Sequence, residues 1–206
     1  MIYLEFKRKL GDFIVFNLND IRKIKADFDL RRLSEWQKKG YIQIIRRGYY
    51  MFGDRKLSEP ILYLTANKIY PPSYVSFESA LSHYGLIPEG VYTVTSASSK
   101  KTASFKTPIV EFSYRKLKAE LMFGYRLEEL PGQRYKIAEI EKAVLDYLYL
   151  NPKIVDEADF YEWRFNSQEF LAKADMEKLR QYAAAFKNKR LVARVEKLLA
   201  LMKRAE

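Results

Sequence analysis

A chain of 206 residues has the length of one large domain or two small ones, and its 48% hydrophobic and 15% aromatic side chains suffice for a packed core, which excludes global disorder. No apolar run approaches the ~20 residues that span a bilayer, the N-terminus MIYLEFKRKL lacks the order of a signal peptide, and cysteine is absent. A cytoplasmic chain without membrane contact, disulfides, thiolate metal sites or cysteine nucleophiles is therefore expected. Lysine and arginine number 37 against 26 acidic residues, a formal charge of +11, and a field of that sign draws polyanions, of which nucleic acid is the usual one.

Residues 2–10 read as a first helix stopped by Gly11 and Asp12. The β-rich run FIVF follows, and Asn19 offers an N-cap for a helix through about Ala26 with Ile21 and Ile24 inward. Asp29 is positioned to cap the next helix, where Leu30, Leu33 and Trp36 share one face and Arg31, Arg32, Glu35, Lys38 and Lys39 project from the other, up to Gly40. In YIQIIRRGYYMF, β-branched and aromatic residues flank Arg46-Arg47-Gly48, the pattern of a hairpin with a glycine turn. Helix, short strand, helix, helix, hairpin is the order of a winged helix-turn-helix, in which the third helix enters the major groove and the hairpin lies against the adjacent backbone. The charge fits that order, since residues 1–57 carry 14 basic and 7 acidic side chains and the remaining 149 carry 23 and 19.

Ser58, Glu59 and Pro60 mark the expected boundary between a 1–57 DNA-binding domain and a second, α+β domain of residues 58–206. A helix over about 60–69 ends at YPPS, and VSFESALSHYG reads as a helix closed by Gly85. VYTVTSAS, PIVEFSY and LMFGYRL are strand-like, with SSKKTASFK as a basic loop among them. In YKIAEIEKAVLDYLYL, Ile137, Ile140, Val144, Tyr147 and Leu148 form a helical stripe. After Asn151-Pro152, residues 151–206 read as a helical extension: Asn166 and Glu169 suggest a capping box for a helix to about Phe186, and Leu191, Val192, Val195, Leu198, Leu199 and Met202 line one face of the last helix.

Arg31, Arg32, Lys38 and Lys39 are candidates for groove and phosphate contact and Arg46 and Arg47 for the wing, with Arg22, Lys23 and Lys25 adding charge nearby. Catalysis has little support. His83 follows Ser79 by four residues on one predicted helix, but a nucleophile and base also need an orienting group and an oxyanion site, and neither has a signal. Glu111 and Lys116 in EFSYRK have the residue types of a metal-dependent nuclease without a further acidic ligand. Glu139, Lys142 and Asp146, at i, i+3 and i+7, are most simply surface ion pairs. No P-loop, dinucleotide fingerprint or HExxH occurs, so no cofactor or metal is expected. The rival readings are a nucleic-acid-cleaving enzyme with a basic targeting module, and a winged helix that contacts protein.

The succession of IIRRGYYMF, YVSFESALSHYGL, VYTVTS and IAEIEKAVLDYLY, over roughly residues 10–150, resembles the abortive-infection AbiE antitoxin family, the AbiEi-like antitoxins of type IV toxin-antitoxin systems. The resemblance implies a bacterial phage-defence protein whose N-terminal domain represses its own operon and whose C-terminal domain opposes a nucleotidyltransferase-like toxin encoded next door. It implies no enzymatic role and no metal. It carries Arg46, Arg47 and Tyr49 onto the family's basic wing, and the basic face of residues 31–39 onto its recognition helix.

Overall fold

The apolar residues of the first segment build a small core of their own. The computed structural model describes residues 1–88 and 92–204, and it begins with α1 (Tyr3–Leu10), β1 (Phe16–Asn17), α2 (Leu18–Ile24), α3 (Arg31–Lys38) and the hairpin β2 (Ile42–Arg46) and β3 (Tyr49–Phe52). Phe6, Leu10, Phe16, Ile21, Phe28, Leu33, Trp36, Ile42 and Phe52 are buried together, with the Phe6 ring 4.7 Å from that of Trp36. The three strands form an antiparallel sheet in the order β1-β3-β2. Gly48, at φ 84°, supplies the left-handed turn between the hairpin strands. Gly53 is required for another reason: a Cβ there would lie 2.0 Å from the carbonyl oxygen of Gly40, so the chain after β3 can close onto the end of α3 only without a side chain.

Two helix starts differ from expectation. The cap of α2 is Asn17, not Asn19: its Oδ1 accepts from the backbone N–H of Asn19 and Asp20, and Asp20 accepts in return from the N–H of Asn17. A reciprocal box satisfies more of the free N–H groups than a single cap at Asn19 could, so the helix begins two residues earlier. In α3 the Asp29 carboxylate accepts from the N–H of Arg31, but Leu30 occupies the cap position and is exposed, leaving Leu33 and Trp36 as the inward pair.

The second part is built on a mixed six-stranded sheet in the order β6-β7-β5-β4-β9-β8, from β4 (Ser73–Val75), β5 (Thr93–Ser98), β6 (Ala103–Lys106), β7 (Glu111–Lys116), β8 (Tyr125–Leu130) and β9 (Gln133–Ala138). β5 runs parallel to β7 and β4 parallel to β9, while the other neighbours are antiparallel. Helices α4 (Glu59–Ile69), α5 (Phe77–His83) and α6 (Ile140–Leu150) pack with it. Val91, at the head of the expected strand VYTVTSAS, lies outside the described residues. Four expectations are corrected here. α4 ends before YPPS as expected, but VSFESALSHYG is helical only from Phe77, because Val75 belongs to β4, and the basic loop SSKKTASFK contains edge strand β6. LMFGYRL becomes strand only from Tyr125, after a 3-10 turn at Ala119–Leu121. The stripe in YKIAEIEKAVLDYLYL is two elements, since Ile137 belongs to β9 and α6 starts at Ile140.

The helical tail consists of α7 (Glu157–Glu162), α8 (Ser167–Lys173), α9 (Met176–Ala185) and α10 (Lys189–Arg204). Asn166 caps α8 by accepting from the N–H of Glu169, but the Glu169 carboxylate pairs with Lys173 in place of completing the expected box, and the helix does not continue to Phe186, because Asp175 caps a new one. The stripe of α10 packs at home: Leu191, Val195, Leu198, Leu199 and Met202 all enter the larger core, with Val192 half-buried beside it. Among the described residues the chain thus has ten helices and sheets of three and six strands, the mixed α+β class expected, and no helix is long and apolar enough to cross a membrane.

Lys142 and Asp146 are not surface ion pairs. Both are fully buried, and Lys142 Nζ pairs with Asp146 while donating to Tyr74 Oη at 2.7 Å. Tyr74 Oη and Ser76 Oγ donate to Asp146 Oδ2 at 2.7 and 2.9 Å, so α6 is tied to β4 and to the start of α5. Only Glu139, which accepts from Tyr182 Oη at 2.6 Å, keeps a partly exposed position. Burial pushes the Lys142 ammonium below the usual lysine range and the Asp146 carboxyl above the usual carboxylate range, and the attraction between them opposes both shifts.

Two stability measurements follow from this architecture. Asn17→Ala, which removes both cap bonds of α2, is expected to cost about 0.5–2 kcal/mol in urea unfolding. Lys142→Met leaves a buried carboxylate without its cation and is expected to cost about 3–5 kcal/mol, whereas Lys142→Met with Asp146→Asn should cost less than the single change. The deficit of the single variant depends on pH. With a folded-state value raised above the unfolded one, Asp146 favours the fold below the unfolded value near about 4, and that contribution is lost as pH rises through the folded value. Unfolding at two pH values should therefore show the deficit growing from acid to neutral pH; a pH-independent deficit would mean that Asp146 finds another partner.

Candidate nucleic-acid interface

The burial of Leu33 and Trp36 fixes which side of α3 faces outward. With these two against the small core, Arg31, Glu35, Lys38 and Lys39 are exposed and Arg32 is half-buried. On α2, inward Ile21 leaves Arg22 and Lys23 in solvent, with Lys25 half-exposed just beyond its end. Arg47, at the hairpin turn, is exposed.

These cations differ in what already holds them. Arg31 Nε lies 3.1 Å from Asp29 Oδ1, a bond that holds the Asp29 carboxyl below and the Arg31 guanidinium above their ordinary values. On α1, Lys7 pairs with Asp54 and Lys9 with Glu5, and Arg55 Nη2 donates to the Gly11 carbonyl at 2.6 Å. Among the described residues Arg22, Lys23, Arg32, Lys38, Lys39 and Arg47 have no carboxylate within ion-pair distance. Arg8 on α1, Lys25 and Lys56 are likewise without a carboxylate partner, so the uncompensated charge lies mostly, though not wholly, on α2, α3 and the hairpin turn.

Two of the seven expected residues are placed differently from the rest. Tyr49 is half-buried against the larger core, and Arg46 turns from the hairpin toward the second part of the chain, where its Nη1 donates to the carbonyl of Ile69. The Arg46 guanidinium lies over the rings of Phe105 and Tyr70. No sequence pattern signalled these contacts, because they cross 23 residues and more. The same Tyr70 ring receives Lys100 Nζ 5.4 Å from its centre, so the basic segment after β5 borders the hairpin.

The weaker catalytic candidates come apart. Ser79 Oγ accepts from the N–H of Thr95 at 2.8 Å and turns to β5, while His83 Nδ1 lies 3.7 Å from Glu59 Oε2. Glu111 and Lys116 are five residues apart on β7 and so project from opposite faces of the sheet, which keeps them out of one reacting centre. Glu111 instead accepts from Ser104 Oγ at 2.5 Å, beside the Arg115–Glu78 pair, in an open cleft of about 680 Å³ that also takes in Thr93, Thr95 and Ser113. Among the described residues no group of three or more His, Cys, Asp or Glu side chains could hold a metal ion. Compared with known proteins, the chain matches no family model and no curated sequence.

Proposed function

We propose that the chain is a DNA-binding transcriptional regulator and antitoxin acting in the cytoplasm. On this reading residues 1–57 are a winged helix-turn-helix, with α3 in the major groove and the β2–β3 hairpin as the wing, and residues 58–206 are the antitoxin domain. What carries the DNA reading is the set of cations without carboxylate partners on α2, α3 and the hairpin turn, in a fold order that presents those elements to a duplex. The antitoxin role rests on the resemblance to the AbiE antitoxins, and with it a nucleotidyltransferase-like toxin as functional partner and the chain's own operator as the DNA.

Phosphate binding has a measurable signature, because each neutralised phosphate releases counterions and steepens the salt dependence of binding by about 0.9. Lys38→Ala, Lys39→Ala and Arg47→Ala together are expected to weaken binding to the DNA upstream of the gene and to make its log–log salt slope shallower by about 0.9 for each phosphate that is no longer neutralised. Equal slopes and affinities for the native and triply substituted chains, measured by anisotropy at several salt concentrations, would sink this interface.

Antitoxin action is tested with the whole chain. Deleting residues 1–57 would uncover the larger core, which Ile14, Val15, Ile45 and Met51 help to form. The triply substituted chain is expected to lose repression of its promoter yet still relieve growth inhibition when it and the neighbouring toxin are expressed from unrelated promoters. Loss of protection in that folded variant would place both activities on one surface. Absence of protection by the native chain would leave a regulator without an antitoxin role.

A further inference from the structure

The hairpin that carries Arg47 is fastened to the second part of the chain through its neighbour, Arg46. In the β2–β3 ladder Ile44 pairs with Tyr50 and Arg46 with Tyr49, so Ile45 is an extra, bulged residue. A bulge bends its strand and re-aims the side chains beside it. Here Ile45 enters the larger core, and Arg46 points at the end of α4 and at edge strand β6.

The receiving site has contacts of its own that do not involve the arginine. Tyr70, Phe105 and Tyr114 form a triad with ring centres 4.7, 5.5 and 5.7 Å apart, and Tyr114 Oη donates to the Ala66 carbonyl at 2.7 Å. The guanidinium carbon lies 4.2 Å from the centre of Phe105 and 5.4 Å from that of Tyr70, within the range of cation–π attraction. Its hydrogen bond goes to Ile69, the last residue of α4, whose carbonyl lacks an intrahelical donor and sits at the negative end of the helix dipole. Ring faces, a free helix-end carbonyl and a planar cation make a complementary set.

We propose that Arg46 is the positioning residue of the nucleic-acid interface: it clamps the hairpin to α4 and β6 at the angle that lets Arg47 and the outer face of α3 meet one duplex, and it contacts no phosphate itself. The inference rests on the DNA-binding reading above. A hairpin whose tip is held before binding has less freedom to lose on binding, and that preorganisation is what the clamp supplies.

Salt dependence separates a clamp from a phosphate ligand. Binding of the full chain to a short mixed-sequence DNA duplex is measured against salt for the native protein, Arg46→Ala, Arg47→Ala, Phe105→Ala and the milder Phe105→Leu, alongside amide hydrogen exchange. Arg47→Ala is expected to lower the slope by about 0.9. Arg46→Ala and both Phe105 variants are expected to weaken binding about tenfold at every salt concentration with the slope kept, and Arg46→Ala with Phe105→Leu to be no weaker than either alone. Exchange should quicken in residues 42–52 and stay unchanged in α5 and α6, a local signature that general destabilisation does not produce. A shallower slope for Arg46→Ala, or native affinity in both Phe105 variants, overturns the clamp while leaving the DNA-binding reading standing. Absence of duplex binding by the native chain overturns both.

Discussion

The small three-stranded sheet is buried on both faces, and this constraint couples the two parts of the chain. Successive residues of β3 alternate between cores: Tyr50 and Phe52 face the small one, Tyr49 and Met51 the larger. β1 does the same, with Phe16 in the small core and Val15, just before it, in the larger. A sheet of three short strands is marginal alone, and here it is held by side chains from both directions. The elements that bear the free cations are therefore not a module on a tether. The loop before β1 adds a second tie, since Gln133 Nε2 in β9 donates to the Asp12 carbonyl at 2.8 Å.

Inside the larger core a different interaction sets the packing. An ion pair in the interior gains little over an apolar pair of similar volume, because both charges lose their water. What the Lys142–Asp146 pair supplies is direction: four polar groups on α6, β4 and the residue before α5 satisfy one another in only one register of α6. The ammonium also lies 5.0 Å from the ring centres of Phe123 and Phe186, so the packing of the helical tail joins the same point. A slide of α6 by one turn would leave a carboxylate and a tyrosine hydroxyl without partners in an apolar setting.

Much of the first segment was legible because its signals are local. The helical spacing of Leu33 and Trp36, the glycine after α3 and the Arg47-Gly48 turn each depend on neighbours a few residues away, and each appears where the sequence put it. The run YYMF was read as one side of the hairpin, but not as a strand buried on both faces, which depends on the two cores that meet there. What escaped depends on distant partners. An i, i+4 lysine and aspartate look alike on an exposed and a buried helix face, and only Tyr74 and Ser76, some 70 residues away, make the buried placement tolerable. Strand β6 escaped because SSKKTASFK has the composition of a loop; as an edge strand it keeps Ser104 and Lys106 exposed. At the candidate site, the charge of the α3 face was legible, while Arg46 was indistinguishable from Arg47 until the aromatic triad came into view.

The basic excess of the first 57 residues thus divides into three fates, and the division bears on function more than the total does. Lys7, Lys9 and Arg31 have carboxylate partners, and Arg46 and Arg55 are spent on backbone carbonyls that tie segments together. The remainder, mostly on α2, α3 and the hairpin turn with Arg8 and Lys56 outside them, has no ionic partner; Arg22, Lys23 and Lys38 gain only the modest favour of a helix C-terminus, against which like charges gathered on one small segment repel. Acidic residues are at hand, since Asp20 and Glu35 lie on the same two helices, yet Asp20 is taken up in the cap of α2 and Glu35 has no basic partner within ion-pair distance among the described residues. Charge left without ionic partners, on helices packed against a sheet that is itself held from both faces, is an arrangement suited to an external polyanion.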